Sequence, residues 1–135
     1  MRKRKHIFSL LIGSLLLLNA GYKQYHASEE VSDGLEVYFI DVGQGDSTLI
    51  VDNDEAMLID GGLANQSQKI YTILKEKGID SLSYVVATHP HADHVGGLSA
   101  ALEAAYCKQI LVPYTESENT TYNKFLKKAE EKNVP

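Results

Sequence analysis

The sequence predicts a mixed α/β (α+β) domain, on three observations. Three short strand-like runs, residues 35–42, 48–51 and 56–59, are separated by sharp turn signals, as in an antiparallel meander. Beyond residue 62 the period changes, and amphipathic helical segments alternate with short apolar runs. Where one of those runs ends, His89-Pro90-His91-Ala92-Asp93-His94 sets three imidazoles and a carboxylate within six positions. Junctions of strand and helix are the usual place for ligands in α/β proteins.

The elements follow in order. Leu35 to Val42 alternates and is rich in Val, Ile, Tyr and Phe, until Gly43-Gln44-Gly45-Asp46 breaks it. Thr48 to Val51 is a second strand, Asp52-Asn53-Asp54-Glu55 a turn, and Ala56 to Ile59 a third strand stopped by Asp60-Gly61-Gly62. Asn65 and Gln68 have the spacing of a capping box. Ile70, Tyr71, Ile73, Leu74 and Lys77 carry the helix to Gly78, a plausible stop. Leu82 to Ala87 reads as a buried strand. A helix from Asp93 or His94 puts Leu98, Ala101, Leu102 and Ala105 on one face. Gln109 to Val112 is a short strand, and Tyr122, Phe125, Leu126 and Ala129 define a last helix from about Thr120.

The length of 135 residues favours one small domain. Residues 1–27 read as a signal peptide: a basic start, Met1 to His6, precedes an apolar run from Ile7 to Ala20. The run is shorter than the ~20 residues that span a bilayer, which leaves an uncleaved anchor as the alternative. Cleavage after Ala20 or Ala27 gives an N-terminus between Gly21 and Ser28, and residues 28–34 read as a linker. Gly21 stands where a lipidated Cys would be, against a lipid anchor. The expected location is therefore secreted or at the cell surface, with no membrane partner beyond the signal segment.

All eighteen acids lie after Ser28, against eight of the thirteen bases, so a chain starting there carries a net charge of −10. That balance opposes non-specific binding to DNA or anionic membrane. Lys124, Lys127, Lys128 and Lys132 read as a solvated helix face. Cys107 is alone, which excludes an internal disulfide, and its apolar neighbours favour a buried structural thiol.

Imidazole and carboxylate are the ligands that Zn²⁺, Mn²⁺ or Fe take when no thiolate is offered. The segment His89 to His94, followed by Val95-Gly96-Gly97, resembles the H-x-H-x-D-H signature of the metallo-β-lactamase superfamily. Phe39-Ile40-Asp41-Val42-Gly43-Gln44-Gly45-Asp46-Ser47 is similar to the F-x-D-V-G-Q-G-D-S segment of the hydrolase domain in ComEC-type competence proteins and their stand-alone relatives. Leu58-Ile59-Asp60-Gly61-Gly62 is similar to a third landmark of the same group. The resemblance covers residues 35–135.

It implies the first half of an αββα sandwich. It also implies His89 and His91 as ligands of a first metal, Asp93 and His94 as ligands of a second, and Asp93 at the catalytic centre. Asp60 would be the carboxylate that orients the site, although a turn or cap aspartate explains it too. Gly96 and Gly97 are expected to let backbone approach the metals. The loop residues Asp41, Gln44, Asp46 and Ser47 lie beside the expected site, either as substrate contacts or as a structural turn. The implied cofactors are two divalent ions in a complete domain, zinc with manganese as the alternative.

No histidine follows His94, and Glu103, Glu116, Glu118, Glu130 and Glu131 lack the family's context. The second half of the fold normally supplies further ligands. Residues 35–135 are therefore expected to be a domain truncated at its C-terminal end, with one sheet face uncovered, weak metal binding and no activity alone. The implied function is an exported, metal-dependent phosphodiesterase or nuclease-like hydrolase, in which metal-bound hydroxide attacks phosphorus. Its partner would be extracellular DNA or a cell-wall phosphodiester such as phosphorylcholine on teichoic acid. A non-catalytic truncated remnant with a partial metal site is the rival reading. An antibiotic-hydrolysing lactamase is a third.

Overall fold

In the computed structural model the described residues are 34–135. The expected signal segment at 1–27 lies outside them, as does the linker up to residue 33. Strands β1 (Leu35–Phe39), β2 (Thr48–Asp52) and β3 (Glu55–Ile59) form the antiparallel meander, with Phe39 opposite Thr48 and Thr48 opposite Ile59. Asn53, at φ 51°, turns the chain between β2 and β3, a conformation its short amide side chain tolerates.

The pairing direction then reverses. With β4 at Ser81–Leu82, β5 at Tyr84–Val86, β6 at Tyr106–Cys107 and β7 at Ile110–Leu111, β3 pairs in parallel with β5 and β5 with β7. The five-stranded order is β1-β2-β3-β5-β7, and β4 and β6 form a separate parallel pair. The single strand expected from Leu82 to Ala87 is thus two strands. The break is at Ser83, whose amide donates to the Ala56 carbonyl of β3 at 2.7 Å, while the Leu82 carbonyl accepts from the amide of Lys108, just past β6 of the smaller sheet. The backbone changes partners there, which an apolar run cannot reveal.

A 3₁₀ turn, Ala64–Gln66, leads into α1 (Ser67–Glu76). The expected Asn65 capping box does not form, because Asn65 lies within the 3₁₀ turn, so its side chain is not placed to cap the helix start. The helix expected from residue 93 or 94 to 105 is likewise two pieces, α2 (Ala92–Val95) and α3 (Leu98–Ala104), joined through Gly96-Gly97. α4 (Thr120–Glu131) begins as expected, with the Asn119 side chain accepting from the amides of Thr121 and Tyr122.

One face of the sheet is buried. Leu49, Leu58 and Val85 sit side by side in register, and all three are fully enclosed. α1 covers them with Ile70 and Leu74, α3 with Leu98, Ala101 and Leu102, and α4 with Tyr122, Phe125 and Ala129. Each large apolar side chain so buried stabilises by roughly 1.5–3 kcal/mol. The other face carries Val37, Ile50, Met57 and Tyr84 in one row and Phe39, Ile59, Val86 and Leu111 in the next. Phe39 is 84 % exposed there, and Val37, Tyr84 and Leu111 are exposed too. Among the described residues no helix is long and apolar enough to cross a membrane.

Candidate metal centre

The parallel register of β3 and β5 builds the site. Ile59 lies beside Val86, and the Asp60 amide extends the ladder to the Val86 carbonyl at 2.9 Å. The residues just past both strand ends, Asp60 on one and Thr88-His89 on the other, therefore face each other. Asp60 is 2 % exposed and sits at φ 55°, a left-handed conformation that aspartate accepts more readily than most residues.

The buried Asp60 carboxylate takes three hydrogen bonds. Oδ1 accepts from the Thr88 amide at 2.9 Å; Oδ2 accepts from Thr88 Oγ1 at 2.6 Å and pairs with His94 Nδ1 at 2.9 Å. Thr88 Oγ1 also meets His89 Nδ1 at 3.0 Å. A hydroxyl has one proton, and here it goes to the carboxylate. His89 must then donate to Thr88 through its own Nδ1–H, and His94 donates to Asp60 in the same way. The relay His89–Thr88–Asp60–His94 thus fixes one tautomer on both rings and leaves the Nε2 lone pair of each free.

The two rings lie 3.9 Å apart between centroids, and His91 stands edge-on to His89 at 4.8 Å. Possible ligand atoms of Asp60, His89 and His94 lie within 4.8 Å of one another. Two imidazole nitrogens beside a buried carboxylate suit a divalent ion of the zinc or manganese kind. Because its oxygens already hold three donors, Asp60 acts in this geometry as the group that orients the imidazoles. His91 is exposed, and its carbonyl starts α2 by accepting from the His94 and Val95 amides. Neither His91 nor Asp93 joins the three-residue cluster.

The Asp93 carboxylate instead accepts from Gln44 Nε2 at 3.2 Å. That hydrogen bond holds its carboxyl below the usual carboxylate range, helped by its own amide and by the field of His94 and His91. Asp46 Oδ2 lies 3.9 Å from His94 Nδ1. Ser47, 4 % exposed, donates through Oγ to the Asp60 carbonyl at 3.0 Å. Asp41 Oδ1 accepts from the Gly43 amide at 3.0 Å, which closes the turn. Asp41 and Ser47 are thus both engaged by backbone groups, Asp41 at the exposed turn and Ser47 in the buried contact to Asp60.

The glycines after the motif let backbone pack directly on backbone. A Cβ on Gly96 would overlap the Ala64 amide nitrogen, and one on Gly97 would overlap the Gly61 carbonyl oxygen. The Gly61 amide donates to the His94 carbonyl at 2.7 Å. The two Gly-Gly pairs press backbone against backbone and so lock α2 to the end of β3. Thr88 is the participant that motif reasoning missed. Its only signal was a hydroxyl directly before the first histidine.

The sequence profile of the metallo-beta-lactamase superfamily matches residues 40–131, more than half of the chain. The chain is 32% identical over 95 residues to "Recombination protein 2" of Haemophilus influenzae (strain ATCC 51907 / DSM 11121 / KW20 / Rd), covering 67% of this chain and 12% of that protein. It thus spans about an eighth of that relative's length. Among solved structures it is similar to metallo-beta-lactamase SMB-1 bound to 2-mercaptoethanesulfonate, with a TM-score of 0.48 and 22% identity, covering 55% of this chain and 29% of that one. A Cronobacter sakazakii metallo-beta-lactamase with a HARLDQ motif has a TM-score of 0.48 and 21% identity over the same shares.

Proposed function

The chain belongs to the metallo-beta-lactamase superfamily, a family of metal-dependent hydrolases, and on that footing we propose that its site serves phosphodiester hydrolysis. The observation that carries this reading is the relay from His89 through Thr88 and Asp60 to His94, which leaves two Nε2 atoms as metal donors. His89, His91, Asp93 and His94 would hold two divalent ions, zinc or manganese. Such ions, when bound, supply Lewis acidity toward a phosphoryl oxygen and make a nearby water more acidic.

The chain's own residues do the rest. Asp60 holds both imidazoles in the coordinating tautomer and stabilises positive charge that spreads onto them. Asp93 brings a second negative charge beside the imidazoles and is ionised near neutral pH. A phosphodiester is favoured over a β-lactam because the Asp41-Val42-Gly43-Gln44-Gly45-Asp46 segment is shared with competence-type hydrolase domains, and the relative in Haemophilus influenzae is a recombination protein. Extracellular DNA and a cell-wall phosphodiester are both within this class. The basic start and apolar run of residues 1–27 support export as part of this reading. A second reading, a metal-holding module without turnover, is favoured by the small cluster of possible ligands among the described residues, Asp60, His89 and His94.

The test is a titration of the full chain, in mild detergent, with Zn²⁺ and Mn²⁺, followed by assays on a bis-aryl phosphodiester and a chromogenic β-lactam. Weak metal binding lost in His89→Ala and His94→Ala is expected, with any turnover confined to the diester. A chain that takes up no ion overturns the metal reading. Turnover of the β-lactam alone overturns the substrate class, and bound metal without turnover of either substrate selects the second reading.

A further inference from the structure

We propose that Gln44 is a positioning residue for Asp93, and that the loop from Ile40 to Ser47 is the strap that holds it there. The inference rests on the metal reading above and assigns the loop a role toward the ligand set rather than toward substrate.

Two independent contacts join the loop to Asp93. The Gln44 side-chain Nε2 donates to Asp93 Oδ2 at 3.2 Å, across 49 positions of sequence. Gly45, at φ +88°, lies so close that a Cβ there would overlap the Asp93 carbonyl oxygen. Side chain and backbone of consecutive residues thus grip the same target. Asp93 sits on the single turn of α2, where its carboxylate has two rotatable bonds and, among the described residues, accepts from no side chain but Gln44. With Oδ2 held by the Gln44 side-chain amide, the carboxylate keeps one orientation.

The strap itself is anchored on the rest of the site. Ser47 Oγ donates to the Asp60 carbonyl at 3.0 Å, the Gly62 amide donates to the Asp46 carbonyl at 3.0 Å, and the Ile40 amide donates to the Ser47 carbonyl at 2.9 Å. Lys69 of α1 donates to the Asp41 carbonyl. A loop tied to Asp60 and Gly62 at one end and to Asp93 at its tip fixes the distance between the two halves of the ligand set. Gln suits this place because it reaches one methylene further than Asn and offers a neutral donor. A cationic donor there would compete with the metal for the carboxylate.

The test is a Zn²⁺ titration of the full chain in mild detergent, followed through the imidazole ¹⁵N resonances of His89, His91 and His94. Gln44→Met keeps the length and removes the donor. It is expected to raise the half-saturating zinc concentration read at His94 by about 10–100-fold, the usual effect of losing a group that orients a ligand. Asp93→Ala should do at least as much, and the double variant should be no weaker than Asp93→Ala alone. An unchanged titration in Gln44→Met, or a further loss in the double variant, overturns the proposal. The zinc-free chain provides a second readout, because the Gln44 side-chain amide resonance should move in Asp93→Ala. If it does not move, the contact is absent and the proposal falls while the metal reading stands. If the wild-type imidazoles do not respond to zinc, the metal reading falls. A Gln44 amide that still moves would then mark a purely structural hydrogen bond, which also overturns the positioning role.

Discussion

Thr88→Val tests the relay without touching any proposed ligand. Valine matches threonine in shape and suits the end of a strand, so packing changes little. The variant loses two hydrogen bonds: the charge-assisted one to Asp60 at 2.6 Å and the neutral one from His89 at 3.0 Å. A bond to a charged group contributes about 1.5–3 kcal/mol and a neutral one about 1. Asp60 keeps its bonds from the Thr88 amide and from His94, and water reaches His89, so the loss should total about 2 kcal/mol. Urea unfolding of the metal-free chain reads that loss. Imidazole ¹⁵N shifts read the tautomers. In the wild type both rings should carry the proton on Nδ1; in Thr88→Val, His94 should keep it there and His89 should become a mixture. Thr88→Ser should restore both properties. A wild-type His89 protonated on Nε2 would refute the relay, as would a Thr88→Val chain of unchanged stability and tautomer.

Other outcomes follow from the same geometry. Asp60→Ala strands the Thr88 hydroxyl and amide and His94 Nδ1 without an acceptor, so it should cost about 3 kcal/mol in urea unfolding, and Asp60→Asn clearly less. Gly96→Ala should cost at least about 3 kcal/mol, because rigid backbone at Leu63 and Ala64 must move. Gly78→Ala, with open space around it but φ +67°, should cost only about 1–2 by the same measurement. Glu103 is held below its usual value of 4.5 by hydrogen bonds from Lys128 and Lys132, each at 3.0 Å. A lowered carboxylate stabilises the fold above its unfolded-state pKa, and that contribution is lost as pH falls through the folded value. Glu103→Gln should therefore lower stability by under about 1 kcal/mol at pH 7, and the gap to the wild type should close as pH drops below about 4.5. Thermal unfolding across that range measures it.

Much of the architecture was legible because it is written in local pattern. The alternation of Leu35 to Phe39, the Asn53 turn and the i, i+3, i+7 spacing of Tyr122, Phe125 and Ala129 each encode an element by themselves. What stayed hidden depends on partners far away in sequence. Ser83 looks like any strand residue until Ala56 claims its amide. Gly96 and Gly97 are visible as glycines, but their partners, Gly61 to Ala64, are known only once β3 and α2 meet. The cluster of histidines was plain from spacing. The role of Thr88 was not, because it follows from the number of protons a hydroxyl has, counted against neighbours that only the fold supplies.

The parallel alignment of β3 with β5 also governs which kinds of genetic change this domain can absorb. Exchanges of one side chain for another leave the alignment of Ile59 with Val86 in place, and their effects stay local. A deletion or insertion of a single residue in Tyr84–Val86 is different in kind. Successive strand residues face opposite sides, so a shift by one would carry Thr88 away from Asp60 and turn Val85 out of the core. The stretch from residue 112 to 119, between β7 and α4, carries no such constraint. Length variation should therefore collect there, while β5 varies in letter but not in count.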